Sequence, residues 1–173
     1  MASIVNITAT FSIRGPIKLP KSVEFRYYLT KKSQNIVQFP GAIYKKFGHS
    51  FIIFKTGKIV CVGGKNINIL ETVCIKVARI LHGISRIYNF EIKNIVGSLN
   101  LGQMIHLDST AESIKAKDIR ICYDPELMEA IYAYTKHCLV ILFHTGKVIF
   151  TGVKKEDNII IAWAEISHCL VWR

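Results

Sequence analysis

A stretch of this chain occurs twice, and no other feature restricts the possible folds as much. Phe39 to Lys65 reads FPGAIYKKFGHSFIIFKTGKIVCVGGK, and Met128 to Lys154 reads MEAIYAYTKHCLVILFHTGKVIFTGVK. A shift of 89 residues carries Phe54 onto Phe143 and Thr56-Gly57-Lys58 onto Thr145-Gly146-Lys147. The same shift carries Gly63 and Lys65 onto Gly152 and Lys154, without a gap from Phe54 onward. Upstream, Asn6-Ile7 answers Asn94-Ile95 at a shift of 88. Two copies are too few for a solenoid, whose repeats bury their faces against neighbours. The expectation is a single pseudo-symmetric domain, with copies over 4–88 and 89–173.

A chain of 173 residues can bury one sizeable core without staples. Half of it is hydrophobic, yet no run approaches the roughly 20 apolar residues of a membrane span. The amino terminus lacks the charged, apolar and small-residue succession of a signal peptide. Five cysteines (Cys61, Cys74, Cys122, Cys138, Cys169) form no CxxC. A zinc ribbon and a disulfide framework are therefore unsupported, and buried reduced thiols in an intracellular compartment are expected. The net charge of +11 favours a polyanionic partner, nucleic acid or an acidic membrane surface, and solubility is the alternative reading of the same charge.

Ile4 to Ile13 reads as a strand broken by Arg14-Gly15-Pro16. Lys18 to Thr30 fits a short helix or a strand, and Ala42 to Phe47 a short helix. Ser50–Phe54 and Lys58–Val62 form a hairpin around Lys55-Thr56-Gly57, where glycine supplies a positive φ. Ile69, Val73, Val77, Ile80 and Leu81 recur at helical spacing between Asn66 and Gly83. In the second copy, Phe90–Leu101 and Met104–Leu107 read as strands. Ser109–Ile114 reads as a helix capped by Ser109 or Thr110, and Asp118–Tyr123 as a strand. Leu127–Tyr134 reads as a short helix, Leu139–Phe143 with Val148–Thr151 as the second hairpin, and Glu156–Trp172 as the last helix. The hairpin strands are apolar on both faces, so one face packs on helices and the other is left for an interaction.

Catalysis finds little footing. The six histidines form no HExxH, and there is no GxxxxGK[ST] or GxSxG. Cys138 directly follows His137, which points a nucleophile away from its base. No cofactor and no metal are expected.

FPGAIY at 39–44, the two TGK(x)4GxK hairpins, NIVGS at 94–98 and YDPEL at 123–127 resemble the TATA-box-binding protein family. The likeness spans about Ile4 to Trp172, and the internal repeat is itself a family feature. It implies an α+β fold: a saddle of two repeats, with a curved ten-stranded antiparallel sheet and four helices on the convex face. It implies a DNA-binding general initiation factor that bends A·T-rich promoter DNA through the minor groove. Factor-IIB-like proteins and RNA polymerase machinery would be partners, in a nucleus, or in cytoplasm or a viral factory.

Carried over by residue, the intercalating wedges are Phe39, Phe54, Phe143 and Met128, with Leu127 an alternative to the last. Asn6 and Asn94, with Thr151, make the central base contacts over an apolar floor of Ile52, Val60, Val96, Ile141 and Ile149. Val62 stands where the family has threonine, and Thr8 where valine is usual, which redistributes the central hydrogen bonds. Lys58, Lys65, Lys147 and Lys154 sit near phosphates. Asp124, Glu126 and Leu127 face the factor-IIB-like partner, and Lys76 and Arg79 offer a docking surface for other factors. The competing readings are a scaffold that binds transcription factors with little DNA affinity, and an appendage of a nucleic-acid enzyme. Loss of the wedges would favour the scaffold; a catalytic partner domain would favour the appendage.

Overall fold

The computed structural model describes residues 2–15, 17, 41–83 and 85–173. The expected helix or strand at 18–30, and Phe39 with its Pro40, lie outside the described residues. Among the described residues the chain forms nine strands and three helices, and every assigned pairing is antiparallel. The chain resolves into two compact units, Ile7–Lys93, and Met1–Asn6 with Asn94–Arg173.

In the unit Ile7–Lys93, β1 (Ser3–Ser12, from Ile7 on) pairs with β4 (Lys58–Gly64). That strand pairs with β3 (His49–Phe54), and β3 with β2 (Gly41–Lys46). The strand period puts Ile7, Ala9, Phe11, Phe51, Ile53, Ile59 and Cys61 on one face, all buried. Helix α1 (Ile67–His82) closes that face with buried Leu70, Cys74, Val77, Ala78 and Leu81. The expected stripe is thus rotated. Ile69 and Ile80 are 53% and 42% exposed, because Leu70 and Cys74 complete the i, i+4, i+7, i+11 row with Val77 and Leu81. The helix ends are as expected. Asn66 Oδ1 accepts from the Asn68 N–H at 2.9 Å, and Gly83 at φ 76° donates its N–H to the Arg79 carbonyl.

Residues 42–47 are not helical. Ala42 and Tyr44 are buried, and Gly41 to Lys46 pair in register with Phe54 to His49. A segment this short suits either period, and the pairing with β3 decides.

In the other unit, β5 (Tyr88–Asn100, from Asn94 on) is followed in space by β9 (Lys147–Val153), β8 (Leu139–Phe143), β7 (Ala130–Tyr134) and β6 (Arg120–Cys122). Helix α2 (Leu107–Lys115) packs on β6 and β7, and α3 (Asp157–Ser167) on β9. Gly97 lets α3 close in, since a Cβ there would stand 2.8 Å from Ile159 Cδ1. Four expectations are corrected here. Residues 130–134 are strand, not helix, for the reason given for β2. Residues 104–107 are not a strand; Ile105 makes one isolated bridge, to Trp172. The cap of α2 is His106, whose Nδ1 faces the Ser109 N–H at 3.4 Å, not Ser109 or Thr110. Helix α3 stops at Ser167 because the last residues turn back: the Val171 N–H donates to the fully buried Thr110 Oγ1 at 3.0 Å.

All five cysteines are unpaired, and Cys122, contrary to expectation, is exposed. Cys61 on β4 and Cys74 on α1 hold their thiols together. The bond to Cys61 and burial push the Cys74 thiol far above the usual range.

Candidate nucleic-acid interface

Each unit has a second sheet face, opposite its helix. In the first, Thr10, Val60, Ile52 and Ile43 stand side by side across four strands, all half-buried. In the second, the repeat shift brings Ser98, Ile149, Ile141 and Tyr132 into the same row, again half-buried. These side chains alternate with the fully buried ones, so their exposure follows from strand geometry. The predicted floor residues Ile52, Val60, Ile141 and Ile149 lie together in these rows, and Val96 is half-buried on β5.

The Thr–Val exchange has a simple form. Thr8 on β1 faces Val62 on β4, while the matching positions of the second copy carry Val96 and Thr151. Each copy keeps one hydroxyl and one isopropyl group. In the first copy the hydroxyl has moved across one strand, by about 5 Å.

Beside these residues both copies carry a register shift, between Ile7 and Thr8 and between Ile95 and Gly97. The extra residue is glycine at positive φ, Gly63 at 101° and Gly152 at 79°. In the second copy the Gly152 N–H, freed by the bulge, donates to Asn94 Oδ1 at 2.8 Å. That bond fixes the amide's orientation: its oxygen is spent on the backbone and its NH2 is left as a pure donor. Asn6 is half-buried at the equivalent place on β1.

Phe54 ends β3 opposite Gly41, and Phe143 ends β8 opposite Ala130. The small partners leave both rings half-buried and standing at a strand end. Met128 precedes β7, 47% exposed, with Tyr132 Oη donating to its sulfur at 2.7 Å. Leu127 beside it is 82% exposed. Lys58, Lys65, Lys147 and Lys154 are all exposed, and no carboxylate of the described residues pairs with them.

Both hairpin turns depend on glycine. Gly57 and Gly146 sit at φ 87° and 80°, and an added Cβ would come within 2.4 Å of the Ile13 oxygen and 2.0 Å of the Gln103 oxygen.

Asp124, Glu126 and Leu127 are exposed on one turn. Asp124 organises it: its carboxylate accepts from the Glu126 N–H at 3.1 Å and its carbonyl from the Met128 N–H at 3.0 Å. Glu126 and Leu127 project freely. Next to this turn lies a cleft of about 300 Å³, lined in part by Tyr123 and Pro125 of the YDPEL stretch together with Asp108, Glu129, His144 and Arg173. Tyr123 Oη donates to Asp108 at 2.9 Å, and His144 meets Glu129 at 2.9 Å. Partial desolvation, with Asp108 accepting its proton, pushes the Tyr123 phenol up. Lys76 and Arg79 are exposed on α1.

The family model described as transcription factor TFIID (or TATA-binding protein, TBP) matches residues 1–84 and 89–171, one copy each. The chain belongs to the TATA-binding protein family. TATA-box-binding protein 2 of Entamoeba histolytica is 32% identical over 97% of this chain and 80% of its own length. The TATA-box-binding protein of Pyrobaculum neutrophilum is 34% identical over 96% of this chain and 85% of its own length. The structure of Methanococcus jannaschii TBP superposes with a TM-score of 0.74 at 23% identity, covering 97% of each chain, and so shares the fold. The α+β class and the two-copy plan of the TBP family therefore hold for this chain.

Proposed function

We propose that this chain is a general transcription initiation factor that binds and bends A·T-rich promoter DNA through the minor groove. The observation that carries the reading is the repeated constellation on the second sheet face. Each copy offers a four-strand row of half-buried, mostly apolar side chains with a phenylalanine at its edge. A·T pairs show the minor groove only acceptors, whereas G·C adds the guanine N2 amine. Asn94, left as a donor by its bond to Gly152, matches the first and opposes the second. In this reading Phe54 and Phe143 unstack base steps, with Phe39 and Met128 as their companions, at a cost of a few kcal/mol per step. Lys58, Lys65, Lys147 and Lys154 take the flanking phosphates, which makes affinity fall with salt.

Glu126 and Leu127, held outward by the Asp124 turn, are the contact for a factor-IIB-like partner, through which polymerase machinery is recruited.

The test is selection of binding sites from random duplex DNA, with bend angles measured on the winners. Enrichment of A·T-rich sites with a bend is expected. Exchanging A·T for I·C pairs, which changes the major groove and leaves the minor-groove edge similar, should preserve affinity. Failure to enrich any sequence, without bending, would leave the scaffold reading in its place.

A further inference from the structure

The net positive charge is confined to one copy. Residues 1–93 carry fifteen Lys and Arg against three Asp and Glu, and residues 94–173 carry eight against nine. Two of these cations, far apart in the sequence, are brought together in the first unit. Arg14 and Arg86 both stand over the Tyr88 ring, at 4.6 Å and 5.2 Å from its centroid. Both arginines are exposed, and neither has a carboxylate partner among the described residues. A guanidinium held on an aromatic face keeps its N–H edge free for an anion and loses little freedom on binding one.

The backbone says where these groups stand. Along β1 the buried Ile7, Ala9, Phe11 and Ile13 alternate with half-buried Thr8, Thr10 and Ser12, and Arg14 continues the latter row. Ser12 faces Lys58 across the sheet, and the Ile13 N–H donates to the Gly57 carbonyl at 3.0 Å. Arg14 therefore leaves the chain beside the hairpin turn that carries Lys58. Gly15 (φ 98°) lies against His82, where a Cβ would be 2.8 Å from Cε1.

The second copy has the same backbone and lacks the charge. Asn100 faces Lys147, and the Leu101 N–H donates to the Gly146 carbonyl at 3.0 Å. Where Arg14 would fall stands Gly102, whose N–H is held by Asn100 Oδ1.

We infer that Arg14 and Arg86, held on Tyr88, form a DNA-phosphate site beside Lys58 that only the first copy possesses. The inference rests on the DNA reading above and adds one flank of the duplex gripped harder than the other.

The experiment compares the full chain with R14Q/R86Q, using K58A and K147A as reference variants, on one selected A·T-rich duplex. Salt-dependent affinity and phosphate-ethylation interference are read together. Each lost phosphate contact lowers the log–log slope by about 0.9, so R14Q/R86Q should flatten it by about 1.8 and weaken binding about 60-fold at 0.1 M salt. Interference should disappear at phosphates adjoining those mapped by K58A and persist at those mapped by K147A. Both side chains are exposed, and an unchanged melting midpoint confirms a folded variant. An unchanged slope and pattern overturns the inference. So does an equal loss on both flanks, which would mean diffuse charge rather than a site. If the wild-type chain itself showed no A·T-dependent binding, the DNA reading would fall first, and that outcome is visible before any variant is made.

Discussion

Replacing Asn94 by aspartate should leave the fold intact and remove DNA binding. The residue has two jobs on its two amide atoms. Its Oδ1 accepts the Gly152 N–H at 2.8 Å, at a glycine held at φ 79° in the bulge. In the function proposed above, its Nδ2 is the donor offered to A·T acceptors. A carboxylate keeps the first job, and as a charged acceptor it holds the N–H at least as well. Stability should therefore change by less than about 0.5 kcal/mol. Asn94→Ala, in contrast, leaves that N–H without its acceptor and should cost about 1 kcal/mol or more.

On the DNA side, Asn94→Asp loses the donor and leaves a base acceptor unpaired, which costs about 1–3 kcal/mol. The new charge adds repulsion from phosphates, about 0.5 kcal/mol for each one 8 Å away in a water-like medium. Together these make about 2–4 kcal/mol, or roughly a 30- to 700-fold loss of affinity. Fluorescence anisotropy on a labelled A·T-rich duplex and a thermal melt of the same samples measure the two halves. A loss under about 5-fold would refute the donor role. A melting midpoint lowered by more than about 4 °C, equivalent to some 1 kcal/mol in a domain this size, would refute the assignment of Oδ1 to the bulge.

Three further outcomes are expected. Met128→Phe should increase the bend and slow dissociation, and Phe54→Ala should straighten the DNA more than Met128→Ala does, because a flat ring fills an opened step better than a thioether; energy transfer between duplex ends measures both. Gly146→Ala should destabilise the fold by about 2–4 kcal/mol, combining left-handed strain with a Cβ 2.0 Å from the Gln103 oxygen. Gly48→Ala, at φ 74° with open space around it, should cost about 1–2 kcal/mol; urea titration separates them. Cys122 should react with a thiol reagent in the native protein, and the four buried thiols only after unfolding, by count of reacted groups with time.

The sequence by itself determined the two-copy plan, both hairpins and helix α1. These rest on local chemistry: glycines that alone tolerate the φ of Gly57 and Gly146, an asparagine cap at Asn66, and a stop at Gly83. The candidate interface residues stand out for a related reason, since a phenylalanine and a lysine that recur at a shift of 89, and an asparagine at a shift of 88, are hard to explain as core. What tertiary structure decided is whatever depends on neighbours distant in the chain. Ala42–Lys46 and Ala130–Tyr134 become strands because β3 and β8 lie alongside to pair with them. Of Phe51 and Ile52, both apolar, only the placement of α1 makes one core and the other surface. The last helix ends early because Thr110, 61 residues away, takes up a returning backbone N–H. Arg14, Tyr88 and Arg86 are joined only because the end of β1 meets the start of β5. Local steric rules act within a few residues and can be read in sequence. Burial and pairing act between segments that the chain alone does not bring together.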